Sequence, residues 1–142
     1  MNFIKKIKDL TSSSKSKSLN DFRKELKQRE QTNKVYIEQR KNEDVGFEFQ
    51  TKGIEAYKNK EFKKSEKYLL QAMNEGFYSP GGLVYIAKIY RKRKDYNSEV
   101  EVLENGLEQL KKDKKNNYGS NLLKVQERLS KAREYKVKQE NN

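Results

Sequence analysis

The chain contains no cysteine, no histidine and no tryptophan, and a single proline in 142 residues. Without cysteine there are no disulfides and no thiolate metal sites, which fits a reducing compartment such as the cytoplasm. Without histidine as well, the usual general bases, thiol nucleophiles and nitrogen or sulfur metal ligands are gone. Only carboxylates, lysine, serine and tyrosine remain to do chemistry. No spacing among them pairs a nucleophile with a base, so the expectation is a protein that is not an enzyme and takes no cofactor. Long apolar runs are also missing, which excludes a transmembrane helix. The first ten residues, Met-Asn-Phe-Ile-Lys-Lys-Ile-Lys-Asp-Leu, are too short in apolar content for a secretion signal.

What is abundant is charge. Charged residues make up 38% of the chain and hydrophobic residues 32%, and the mean hydropathy is -1.24. Such a chain cannot bury a large core throughout, and stacking small helical units is one way to fold with little apolar material. The net charge of +12 is unevenly spread. Residues 1–43 hold 12 basic and 6 acidic side chains, residues 44–110 hold 11 of each, and residues 111–142 hold 10 and 4. The middle is neutral and the excess lies in the flanks. Basic flanks suit a nucleic-acid-binding accessory protein. Lysine outnumbers arginine by 26 to 7, however, and an AT-rich coding sequence produces that bias without selection for polyanions.

Residues 1–18 read as a flexible basic leader. Phe3, Ile4, Ile7 and Leu10 share one helical face, the pattern of a weak membrane-surface anchor or of a short docking helix. Residues 11–18 are a serine- and lysine-rich linker. Residues 19–43 follow as a charged helix whose apolar residues gather at its ends, Leu19, Phe22 and Leu26 at one and Val35, Tyr36 and Ile37 at the other. Its polar middle argues against a sustained coiled coil, and the sequence does not decide whether the chain dimerises.

Between residues 53 and 110 one 34-residue pattern is written twice. Gly53 falls on Ala87, Phe62 on Tyr96, Leu69 on Leu103 and Ala72 on Gly106, with Phe49 on Leu83 upstream. One pairing, Ser65 with Glu99, breaks the rule. The expected domain covers residues 44–138. Asn42-Glu43-Asp44 offers a cap for a first helix at 45–59, with its partner at 61–75 ending on Gly76 as a left-handed cap. Ser79 and Pro80 form a start signal for the second unit, with helices at 83–94 and 97–111. Small residues at the contact points let helix axes approach closely. Ser120 would cap a last helix at 120–138, with Leu122, Val125, Leu129 and Ala132 as its apolar seam, and 139–142 as a disordered tail.

The two copies, running from Gly53-Ile-Glu-Ala-Tyr to Ala72 and from Ala87-Lys-Ile-Tyr to Gly106, resemble the tetratricopeptide repeat. The resemblance implies an all-α, short right-handed solenoid, repeat one at 45–79 and repeat two at 80–111, closed by the last helix. It also implies a groove lined by the first helices of each unit: Gln50, Ile54, Tyr57 and Lys58, then Val84, Lys88, Arg91 and Lys92. Family members that grip acidic carboxyl termini carry Lys and Asn where this chain has Gln50 and Ile54, so that clamp is absent. The expected role is a protein-binding adaptor for a short or helical acidic segment. A nucleic-acid-binding accessory role and a membrane-peripheral scaffold held by residues 1–10 are the alternatives.

The sharpest local feature is Arg91-Lys92-Arg93-Lys94. It reads either as cations at a helix C-terminus that also neutralise Glu101 and Glu104, or as a docking patch for an acidic partner. Along the following helix, Glu99, Glu101, Glu104 and Glu108 read as a solvated side.

Overall fold

The computed structural model describes residues 18–113 and 116–142, and among them all regular structure is helical. Five helices follow one another: α1 (Leu19–Lys58), α2 (Phe62–Asn74), α3 (Pro80–Lys92), α4 (Tyr96–Lys112) and α5 (Ser120–Glu140). Residues 1–17 of the expected leader, the candidate membrane-surface segment among them, lie outside the described residues. Among the described residues no helix is long and apolar enough to cross a membrane.

The chain divides into two units, residues 1–40 and residues 41–142. In the described part of the first, helix α1 leaves Leu19, Phe22, Leu26, Val35, Tyr36 and Ile37 exposed. The expected cap at residues 42–44 is absent, because α1 runs through it without a break. Asn and Asp inside a helix each cost only a fraction of 1 kcal/mol. Stopping and restarting there would strand backbone donors and acceptors at two new helix ends.

The second unit has its core where the 34-residue pattern predicts it. Leu69, Ile86 and Ile89 form one buried group. Leu83, Ala87, Val100, Leu103, Leu107 and Leu110 form another, closed by Val125, Leu129 and Ala132 of α5. Helix α5 therefore packs its expected seam on α3 and α4, and it continues to Glu140, through the first part of the expected tail. Its start differs in detail. Gly119 occupies the cap position with no side-chain cap and Ser120 is the first helical residue, because Asn117 Oδ1 accepts the Gly119 N–H and turns the chain one residue early.

The two helix-to-helix turns within the copies have the same construction at the 34-residue offset. In the first, Lys60 N–H donates to the Tyr57 carbonyl and Glu61 N–H to that of Ala56, each at 2.9 Å. In the second, Lys94 N–H donates to Arg91 at 3.0 Å and Asp95 N–H to Tyr90 at 2.9 Å. Both are Schellman ends, and both place a lysine in the left-handed region, φ 61° at Lys60 and 56° at Lys94. Gly76 fills the corresponding position after α2 with φ 82°, as its sequence context predicts. Ser79 accepts the Gly82 N–H as the α3 cap, with Pro80 in the first helical position. A side chain in the left-handed region costs about 1–2 kcal/mol, which glycine avoids. Replacing both lysines by glycine should therefore raise stability, read as a higher urea midpoint, by about 0.5–1 kcal/mol per site after the greater freedom of an unfolded glycine is subtracted. An unchanged or lower midpoint would count against strain at these turns.

Candidate functional site

Helices α1 and α3 bring their expected groove residues to one neighbourhood through aromatic rings. Tyr57 meets Phe62 edge-on at 5.3 Å between centroids and Tyr85 at 5.0 Å. Such pairs contribute about 0.5–1.5 kcal/mol beyond area burial and hold the ring planes in place. Lys92 Nζ sits 4.6 Å from the Phe62 centroid and 5.6 Å from that of Tyr57, and Lys88 Nζ sits 5.3 Å from that of Tyr85. Lys58, Lys88 and Lys92 carry no ion pair among the described residues. The rings face the cations with their electron-rich sides, which orients the ammonium groups without neutralising them.

The rest of the expected groove is committed to structure. Gln50 Oε1 accepts the Ser79 hydroxyl at 2.6 Å, tying α1 to the start of α3. Ile54 packs beside Leu69, Ile86 and Ile89, and Val84 packs against the core closed by α5. Both are half-buried.

Arg91-Lys92-Arg93-Lys94 does not act as one patch. Arg93 pairs with Glu66 of α2 at 2.6 Å, and Lys94 makes the turn and accepts a hydrogen bond on its carbonyl from Gln139. Arg91 turns inward to Glu99. Its Nη2 lies 2.7 Å from Oε1 and its Nε donates to Oε2 at 3.1 Å. The expected neutralisation of Glu101 and Glu104 by this run is corrected accordingly: Glu99 and Glu66 take the arginines, and Glu104 pairs with Arg133 at 3.0 Å.

Glu99 itself overturns the reading of α4's acidic residues as one solvated side, since its side chain is 0% exposed. Ser65 holds the matching position in the first copy and is equally buried, with its hydroxyl donating to the Gly53 carbonyl at 2.6 Å. One copy closes this joint with a neutral hydrogen bond; the other closes it with a charge. A second guanidinium, Arg128 of α5, approaches Glu99 Oε1 with its Nε at 3.5 Å. Neither that Nε nor Oε1 makes a hydrogen bond, although Arg91 Nη2 lies 2.7 Å from Oε1. Arg91 Nη2 also donates to the Arg128 carbonyl at 3.2 Å, and its guanidinium lies 5.2 Å from the Tyr135 ring. Burial, then the charge of Arg91, lower the Arg128 pKa, while Glu99, Tyr57 and Tyr135 act to raise it. Arg91, Arg128 and Tyr135 thus gather around Glu99 where α3, α4 and α5 meet. Sequence reasoning missed Arg128, although the mismatch of Glu99 with Ser65 was a signal: a carboxylate at a small-residue contact point has to find a cation.

Tyr96 stacks on Tyr135 of α5 at 5.3 Å. A separate cleft of about 540 Å³ opens among Leu70, Met73, Tyr78, Tyr90 and Val102. Two of its polar groups are engaged: Asn105 donates to Tyr78, and Ser98 to Asp95. Burial and Glu66 push the Tyr90 hydroxyl up to about 12, with a hydrogen bond to Glu66 contributing.

The chain matches no protein-family model, no curated protein and no solved structure.

Proposed function

We propose that this chain is a non-catalytic adaptor of the tetratricopeptide kind, working in the cytoplasm, whose α1–α3 face holds a short or helical acidic segment of a partner protein. The observation that carries the reading is the set of three lysines, Lys58, Lys88 and Lys92, with no carboxylate partner among the described residues, two of them set over the rings of Tyr57, Phe62 and Tyr85. The matching turns at Lys60 and Lys94 support a repeated helical hairpin as the scaffold. An acidic segment on this face gains charge pairing from the lysines and apolar contact from the rings.

The direct test is titration of a fluorescein-labelled peptide of alternating glutamate and leucine with the full chain, followed by anisotropy, beside an oligothymidine of similar charge. Saturable peptide binding should weaken about tenfold or more in Lys88→Glu/Lys92→Glu, since rim-charge reversal opposes both encounter and docking. Preference for the oligothymidine, with affinity falling by orders of magnitude as salt rises, would favour a nucleic-acid accessory role through the basic flanks.

A further inference from the structure

We infer that residues 19–40 of α1 pair with the same residues of a second copy of this chain, the two helices running in opposite directions. The inference is independent of the groove reading above.

Five large apolar side chains lie along one side of this stretch. At about 100° per residue, Leu19, Phe22 and Leu26 share a face with Tyr36 and Ile37, while Val35 falls on another. All five are between 44% and 66% exposed, on a helix that runs without a break. The apolar residues occupy the two ends of the stripe, and Arg29, Glu30 and Asn33 fill its middle.

That order is self-complementary when one copy is turned end for end. With a two-fold axis between Lys27 and Gln28, Leu19 meets the partner's Tyr36, Phe22 meets the partner's Asn33, and Leu26 meets the partner's Arg29. The symmetry makes every contact twice. The aliphatic stem of Arg29 can lie along a leucine while its charge stays at the edge. Parallel pairing fails on the same stripe, because it sets Arg29 on Arg29 and Arg40 on Arg40.

Charge selects the same direction. Arg23 and Glu30 stand on one flank of the stripe, seven residues apart, and neither has an ion-pair partner among the described residues. End-for-end pairing brings each to the opposite charge on the other copy. The leader is the competing occupant from within the chain, but residues 1–17 carry five basic side chains and one acidic, against six and four in residues 19–40. It would lay like charge on like.

Completing the burial of these five side chains removes roughly 100 Å² of surface each. Over both copies that is about 1,000 Å², the lower end for a specific interface, so the dimer should be weak, with a dissociation constant of roughly 10–500 μM. Sedimentation velocity of the full chain from about 5 μM to about 1 mM should show monomer giving way to dimer. Phe22→Ser/Tyr36→Ser should weaken pairing about tenfold or more, with a urea midpoint near the parent's because both positions are exposed. Arg23→Glu and Glu30→Arg should each weaken it about fivefold, and the two together should restore it. A chain that stays monomeric throughout would overturn the inference. So would a dimer indifferent to Phe22→Ser/Tyr36→Ser, which would be joined elsewhere. A combined charge swap that fails to restore pairing would show that the helices do not meet in this opposed register.

Discussion

Glu99→Ala should destabilise the chain by about 3–5 kcal/mol, the range for removing one partner of a buried ion pair. That is a large share of the roughly 5–15 kcal/mol available to a domain. The effect comes less from the lost attraction than from what remains: Arg91 and Arg128 side by side, 25% and 18% exposed, with no carboxylate between them. Both guanidinium groups can swing partly toward water, which places the expectation at the lower end. A variant that replaces all three residues with methionine should be more stable than Glu99→Ala, because apolar groups of similar length remove the uncompensated charge. Urea denaturation of the three proteins decides it. Salt should change the parent little, since a pair with one member fully buried is weakly screened. A Glu99→Ala midpoint within error of the parent's would mean that the carboxylate holds nothing.

The sequence carried the second unit's core well, because small and apolar residues recur at a fixed period and each must find a neighbour. Gly76, Ser79 and Pro80 were legible for the same local reason, since each is chosen by its own backbone geometry. What it concealed is long-range or a matter of phase. Arg91 and Arg93 sit two residues apart in one basic run, yet successive helical side chains differ by about 100°, so neighbouring charges point to different partners. One turned to Glu99 and the other to Glu66. The Arg128–Glu99 approach spans two helices and a loop, and no local rule reaches that far. The unbroken α1 escaped for the opposite reason: Asn42-Glu43-Asp44 can cap a helix, but a cap signal acts only where the chain before it is already non-helical.

Gly106→Ala and Leu83→Ala should each destabilise the fold, and together should cost less than their sum. A Cβ at Gly106 would run into both methyl carbons of Leu83. Leu83 is 0% exposed, so its side chain can give way only by pushing on the core around it. Overpacking of this kind costs about 1–3 kcal/mol, offset by the roughly 0.8–1 kcal/mol that alanine gains over glycine within a helix. Leu83→Ala alone opens a cavity in the larger core group and should cost about 2–5 kcal/mol. In the double variant the new methyl enters space that Leu83 has left. The clash disappears, the helix gain remains, and part of the cavity is refilled. A double-mutant cycle should therefore show a coupling of about 1–2 kcal/mol in the compensating direction. Strict additivity would mean that α3 and α4 adjust their spacing freely. In that case the close approach of the two helices at Gly106 would not be what sets Leu83 in place.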